Sequence, residues 1–244
     1  PVFADGKVDY IGQAIAVVAS AEVRRAHDAL GLLQPRYEPL EAVLDDEADT
    51  AEVAGERYVQ HGDPDAEMRD AFQIVQGTYR TGAQEHLYSE PHAAFAEPDG
   101  SGGVDVYTST QWPHHVRQSV ARNLAVPTKR VRVRATEIGV HLDGKLWVPS
   151  LVATHAALTA LRTDRPVKLI YTRQEDFRFT SKRAPVRIRH TSALDADGTL
   201  RASIVFIRVN VGAIPVYVQE LLDRLVISAT GDYRCPHVRI HAVA

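Results

Sequence analysis

The apolar stretches of this chain, such as Ala14–Ala19, are of strand length, and from residue 72 to 244 they recur between turn signals. Strands are predicted near 72–80, 91–97, 103–108, 130–135, 167–172, 186–194 and 200–210, with a turn at Asp195-Ala196-Asp197-Gly198. Two helices interrupt them. Pro113 opens one, reaching about residue 124, in which Val116, Val120 and Leu124 fall four apart on one face. The second, 149–162, starts at Pro149-Ser150 and carries Leu151, Leu158 and Leu161. This restricts the fold to α+β, a mixed sheet with two packed helices. No stretch approaches the roughly 18 to 20 apolar residues that a membrane crossing requires.

The first 44 residues have their own rhythm. Val8–Ala19 is β-rich, and Ser20 is placed to cap a helix in which Ala26, Ala29, Leu30 and Leu33 form an apolar stripe. Arg36–Leu40 follows as a short extended piece. So small a β-α-β unit needs further strands for a core. Residues 45–70 are dominated by carboxylates and broken by Gly55, Gly62 and Pro64, which reads as a solvated acidic linker rather than a metal loop. The chain opens on Pro1-Val2-Phe3 without a signal-peptide pattern and closes on an alternating run, as expected of a segment of something longer.

Composition removes several function classes. Among 244 residues there are 28 Lys and Arg against 31 Asp and Glu, a formal charge of −3, which does not favour a nucleic-acid platform. The single cysteine, Cys235, excludes an internal disulfide framework or a four-cysteine metal site. His86, His92, His114 and His115 lack metal-ligand spacing and read as solvated or hydrogen-bonded side chains. Ser109, Ser119 and Ser150 could each join a histidine and an aspartate, but no GxSxG elbow presents them. Arg130, Arg132 and Arg134 share one face of a strand, as a solvated basic face or, alternatively, an anion patch.

A series of short motifs, in order, covers nearly the whole chain. It runs through Val8–Val18, Tyr37-Glu38-Pro39-Leu40, Gln84-Glu85-His86, Glu90-Pro91-His92, Ser109-Thr110-Gln111, Gly139 to Trp147, Arg165–Lys168, Thr172–Asp176, Lys182–Pro185 and Tyr233–Val238. Taken together they resemble the molybdenum-cofactor-binding large subunit of the xanthine dehydrogenase/aldehyde oxidase family. The resemblance implies the C-terminal part of an α/β-hammerhead domain at 1–44, the linker at 45–70, and a first cofactor-binding domain, truncated at its C-terminus, at 71–244. It implies a molybdenum–molybdopterin cofactor and oxidative hydroxylation of aldehydes or N-heterocycles with water as the oxygen source. The implied partners are the remainder of the large subunit or a split partner chain, and iron–sulfur and FAD subunits. No nucleic acid or membrane is expected, and the setting is cytoplasmic, with the periplasm as the alternative.

The same resemblance assigns the site. Gln111 corresponds to the residue that hydrogen-bonds an oxygen ligand on the molybdenum, a task suited to a neutral amide donor. Gly139, Val140, His141 and Leu142 stand in the cofactor loop, which in the family reads GGGFGGK. Leu142, Leu146 and Arg183 fall at the substrate pocket. No catalytic residue and no metal ligand is expected within the segment, and the isolated chain is expected to be inactive. Val140 and His141 place Cβ atoms where the family has glycine, and Asp143 adds a carboxylate. Val140 is therefore expected at negative φ, with the loop moved away from cofactor contact and Gln111 facing an open groove. The alternative to the enzyme is a non-catalytic structural or assembly module with a degenerate loop.

Overall fold

Alternation along residues 93–108 decides how the first sheet is built, because each strand sends every second side chain into one core. The structure is a computed structural model that describes residues 2–44 and 51–244. Along the chain run α1 (Val23–Leu30), β1 (Glu56–His61), α2 (Pro64–Arg69), β2 (Gln73–Thr81), β3 (Ala93–Pro98), β4 (Val104–Thr108), α3 (Pro113–Asn123), β5 (Val131–Ala135) and α4 (Val148–Thr163). There follow β6 (Val167–Ile170), α5 (Arg173–Phe179), β7 (Val186–Leu194), β8 (Leu200–Val209), α6 (Val218–Ser228) and β9 (His237–Val243). Two units result: Pro1–Glu38 with Glu85–Lys182, and Pro39–Gln84 with Arg183–Ala244.

The first unit holds a four-stranded sheet in the order β5-β4-β3-β6, with β4 and β5 parallel and the other pairs antiparallel. Ala94, Ala96, Val104 and Val106 point into its core against Val116, Val120 and the alanine-rich face of α4, Ala153, Ala156, Ala157 and Ala160. Small side chains let that helix lie close to the sheet, and few voids survive at such density. The β3–β4 turn is closed by Asp99, whose Oδ1 accepts from Ser101 N and Gly103 N, each at 2.8 Å.

The second unit holds a five-stranded sheet in the order β1-β9-β8-β7-β2, with β8 and β9 parallel. Val205, Ile207, Val209 and Ile240 bury against Leu222 and Val226 of α6. Among the described residues no helix is long and apolar enough to cross a membrane.

Three expectations are corrected. Residues 8–19 form no strand; Ala4 N donates to Ala14 O, but no neighbouring strand continues the pairing, and Ile15 and Val17 remain exposed. Residues 45–50 of the expected linker lie outside the described residues, while 56–69 form β1 and α2 rather than solvated coil. Their carboxylates are used: Asp63 caps α2 by accepting from Ala66 N, Asp65 pairs with Arg239 and Glu67 with Arg201. Helices α5 and α6 add to the two helices expected between residues 72 and 244.

Candidate functional site: the loop 139–145 and Gln111

The loop between β5 and α4 carries the residues singled out from sequence, and its shape is set by a pair of left-handed residues. Val140 does not take positive φ; that geometry falls on Leu142 (φ 45°) and Asp143 (φ 61°). For leucine this region is sterically unfavourable, so it persists only where neighbours hold it. His86 Nδ1 donates to Leu142 O at 2.8 Å, Asp143 N donates to His141 Nδ1 at 3.1 Å, and Gly144 N donates to His141 O at 2.8 Å. Gly144 is required for a separate reason: a Cβ there would meet the Tyr88 ring at 2.5 Å.

Gln111 is joined to this loop. Its backbone N donates to Lys145 O at 2.9 Å, and Lys145 N donates back to Gln111 Oε1 at 3.2 Å. With the amide oxygen so placed, Nε2 turns toward Asp143 and donates to its Oδ1 at 3.1 Å. Val140, His141 and Leu142 are exposed, Leu146 is half-buried, and Gly139 lies at the surface. Arg183 belongs to the second unit, where its backbone pairs with Gln84 and Nη2 donates to Gly82 O at 3.3 Å.

Beneath the loop lies a set of residues to which the motifs assign no role. The Lys145 side chain is fully buried, and Nζ stands 3.0 Å from both Glu90 Oε1 and Ser109 Oγ. Ser109 Oγ in turn donates to Glu90 Oε1 at 3.1 Å. The ammonium also lies 5.0 Å from the centroid of the buried Tyr88 ring, a cation–π contact. Burial lowers the Lys145 pKa, with Glu90 opposing the shift. Burial works against the Glu90 charge as well, but the hydrogen bonds from Lys145 and Ser109 help hold its carboxyl below the ordinary range. The signal in the sequence is the lysine itself, adjacent to glycine in a loop entering an apolar helix.

The histidines and serines disperse. His86 holds the loop, while His92 is buried between Tyr88 and Tyr171, and burial drops its pKa to about 3. His115 Nδ1 lies 2.9 Å from Ser150 Oγ, but Ser150 is buried at the start of α4 and no carboxylate completes a triad there among the described residues. Among the described residues no group of three or more His, Cys, Asp or Glu could hold a metal ion. Arg132 and Arg134 both turn to Asp105, at 3.0 and 3.9 Å, as a solvated face does.

Comparison with known proteins places this architecture in a class of cofactor-binding domains. The family model described as the molybdopterin cofactor-binding domain matches residues 46–244, and the chain belongs to that family. It is 32% identical over 252 residues to the nicotinate dehydrogenase large molybdopterin subunit of Eubacterium barkeri, covering 99% of this chain and 59% of that protein. It is 32% identical over 252 residues to the xanthine dehydrogenase of Drosophila subobscura, covering 98% of this chain and 18% of that protein. The chain thus spans less than two thirds of the length of either relative. The solved structure of quinoline 2-oxidoreductase from Pseudomonas putida superposes with a TM-score of 0.87 at 25% identity, covering 100% of this chain and 33% of its own. The aldehyde oxidoreductase from Desulfovibrio desulfuricans shares the fold at a TM-score of 0.88 and 21% identity, with 100% of this chain and 28% of that chain covered.

The residues present fit such a cofactor at Gln111. Its amide is oriented by Lys145, and Nε2 carries two N–H groups of which Asp143 takes one. The Asp143 carboxylate is the feature that an anionic cofactor has to accommodate.

Proposed function

We propose that this chain is part of the large subunit of a molybdenum hydroxylase that oxidatively hydroxylates aldehydes or N-heterocycles, its oxygen coming from water. When bound, the group would supply a two-electron redox centre, with iron–sulfur and FAD partners to take up the electrons. The contribution of this segment is one wall of the site. Gln111 Nε2 would offer its second N–H to the cofactor, Gly139 to Leu142 would form the loop beside it, and Leu142 and Leu146 would belong to the substrate pocket. The hammerhead assignment at 1–44 and the cofactor-domain assignment at 71–244 are part of this reading, as is a cytoplasmic setting. The observation that carries it is the locked orientation of the Gln111 amide, within a chain matched to the cofactor-binding family across 46–244.

The test is to express the chain together with the rest of its parent subunit and assay molybdenum content and aldehyde or heterocycle oxidation. Q111A should keep the fold and lower metal retention or turnover by roughly 10- to 100-fold, the range for groups that orient a metal site from outside its ligands. Unchanged loading and turnover would remove Gln111 from the site. The Asp143–Gln111 bond favours the second reading, a non-catalytic module, which gains if the complete subunit purifies without molybdenum.

A further inference from the structure

We infer that Glu90 is the positioning residue of this site: one carboxylate oxygen gathers both ends of the loop 139–145 and, through Lys145, sets the Gln111 amide. Glu90 Oε1 accepts from Gly139 N at 3.3 Å, at the start of the loop, and from Lys145 Nζ at 3.0 Å, at its end. It also accepts from Ser109 Oγ at 3.1 Å, two residues before Gln111. The third side of the triangle is closed because Lys145 Nζ donates to Ser109 Oγ at 3.0 Å. Lys145 then returns the constraint through its backbone, with N donating to Gln111 Oε1 at 3.2 Å and O accepting from Gln111 N at 2.9 Å.

The chemistry requires a carboxylate. Three donors converge on one oxygen, one of them a fully buried ammonium, and charge-assisted bonds of this kind are roughly twice as strong as neutral ones. A glutamine oxygen at the same position is a weaker acceptor and removes the charge that the ammonium touches, leaving the field of Asp176 as its counter-charge. It would shed the longest of the three bonds first, the one to Gly139. Loop closure is the physical consequence: with both ends on one atom, the residues between them are confined to a turn, which is where the left-handed pair Leu142–Asp143 occurs.

This inference rests on the proposed function for the meaning of Gln111, but its test needs no cofactor. Site-resolved amide exchange and the side-chain NH2 resonances of Gln111 are to be recorded in the full 244-residue chain and in E90Q. In E90Q the Gly139 and Lys145 amides should exchange at least about tenfold faster and the Gln111 resonances should move, while amides within Val152–Ala157 of α4 keep their protection. A merely structural role would speed all of these together. Unmoved Gln111 resonances in a folded E90Q, or uniform acceleration, would overturn the inference. Should E90Q fail to fold, the unsubstituted chain decides: Gly139 and Lys145 amides should exchange more slowly than those of Val140 and Leu142, and equal rates would refute it. Failure here leaves the cofactor proposal standing, and absence of molybdenum from the complete subunit leaves this one standing.

Discussion

Lys145 Nζ lies 3.0 Å from Glu90 Oε1, yet the two side chains differ in exposure, the lysine fully buried and the glutamate about one-third exposed (35%). That asymmetry makes the pair unequal under substitution. E90A removes the one carboxylate in contact with a buried ammonium, leaving it Ser109 and the field of Asp176, which costs about 3 kcal/mol. K145M leaves a carboxylate that can hydrate and should cost less, about 1 kcal/mol. Urea denaturation of both variants checks the order, and a larger loss in K145M would contradict it.

The Glu90 carboxyl also ties stability to acid. Its folded pKa lies below the ordinary value of about 4.3, so its contribution is complete above that value and is lost as pH falls through the depressed folded pKa. His92 acts in a neighbouring window. Burial drops its pKa to about 3 from 6.5, so the unfolded chain takes up a proton that the folded chain refuses between those values. Stability should therefore fall with decreasing pH by up to about 1.4 kcal/mol per unit from this one group. Denaturation of the chain and of H92F, followed from neutral pH down into the acid range, should show the shallower slope in H92F.

G144A tests the close packing beneath the loop. The added methyl would sit 2.5 Å from the ring of Tyr88, which is itself 1% exposed. Something must shift, at a cost of about 1–3 kcal/mol. Thermal unfolding should show a lowered Tm in G144A, and an unchanged Tm would mean that the Tyr88 ring yields freely.

Asp143 is expected to oppose an anionic cofactor. D143N removes the charge and keeps an acceptor for Gln111 Nε2. In the complete parent subunit, molybdenum content per chain should rise in D143N, and a fall would show the carboxylate to be a requirement of the site. The 244-residue chain by itself is expected to retain no molybdenum, which metal analysis of the purified protein checks.

Helix α1 buries none of its residues, whereas α4 buries most of its length. Amides of Val23–Leu30 should therefore exchange far faster than those of Val152–Ala160, because local opening of α1 exposes little apolar surface. Residues near Phe3 should be an exception in the N-terminal segment: the Phe3 ring packs on His155 with centroids 4.7 Å apart, and the Val2 carbonyl lies 2.8 Å from His155 Nε2. Equal protection in α1 and α4 would refute this.

Most of the elements are written in the chain's own pattern. Period-two alternation in β3, β4 and β8, and the stripe Val116–Val120 in α3, follow from side chains that must reach a core whatever its partners. The family is legible because motif order runs along the chain. Helix α5 carries a signal too, the capping box of Thr172 and Glu175, although short length and flanking strands hide it. Helix α6 has no such mark, since its N-cap, Tyr217, sits at φ 58° without a capping side chain.

The remainder depends on contacts distant in sequence. Strand β1 exists because β9, at the far end of the chain, pairs with it as Glu56 meets Val243, and an acidic composition could not announce that partner. Val8–Ala19 shows the converse: β-rich residues remain without a strand where no neighbouring strand continues the pairing begun at Ala14. The convergence of Glu90, Ser109 and Lys145 arises in the same way. Each residue taken singly reads as an ordinary polar position, and burial of the lysine is tolerable only because folding brings a carboxylate to it.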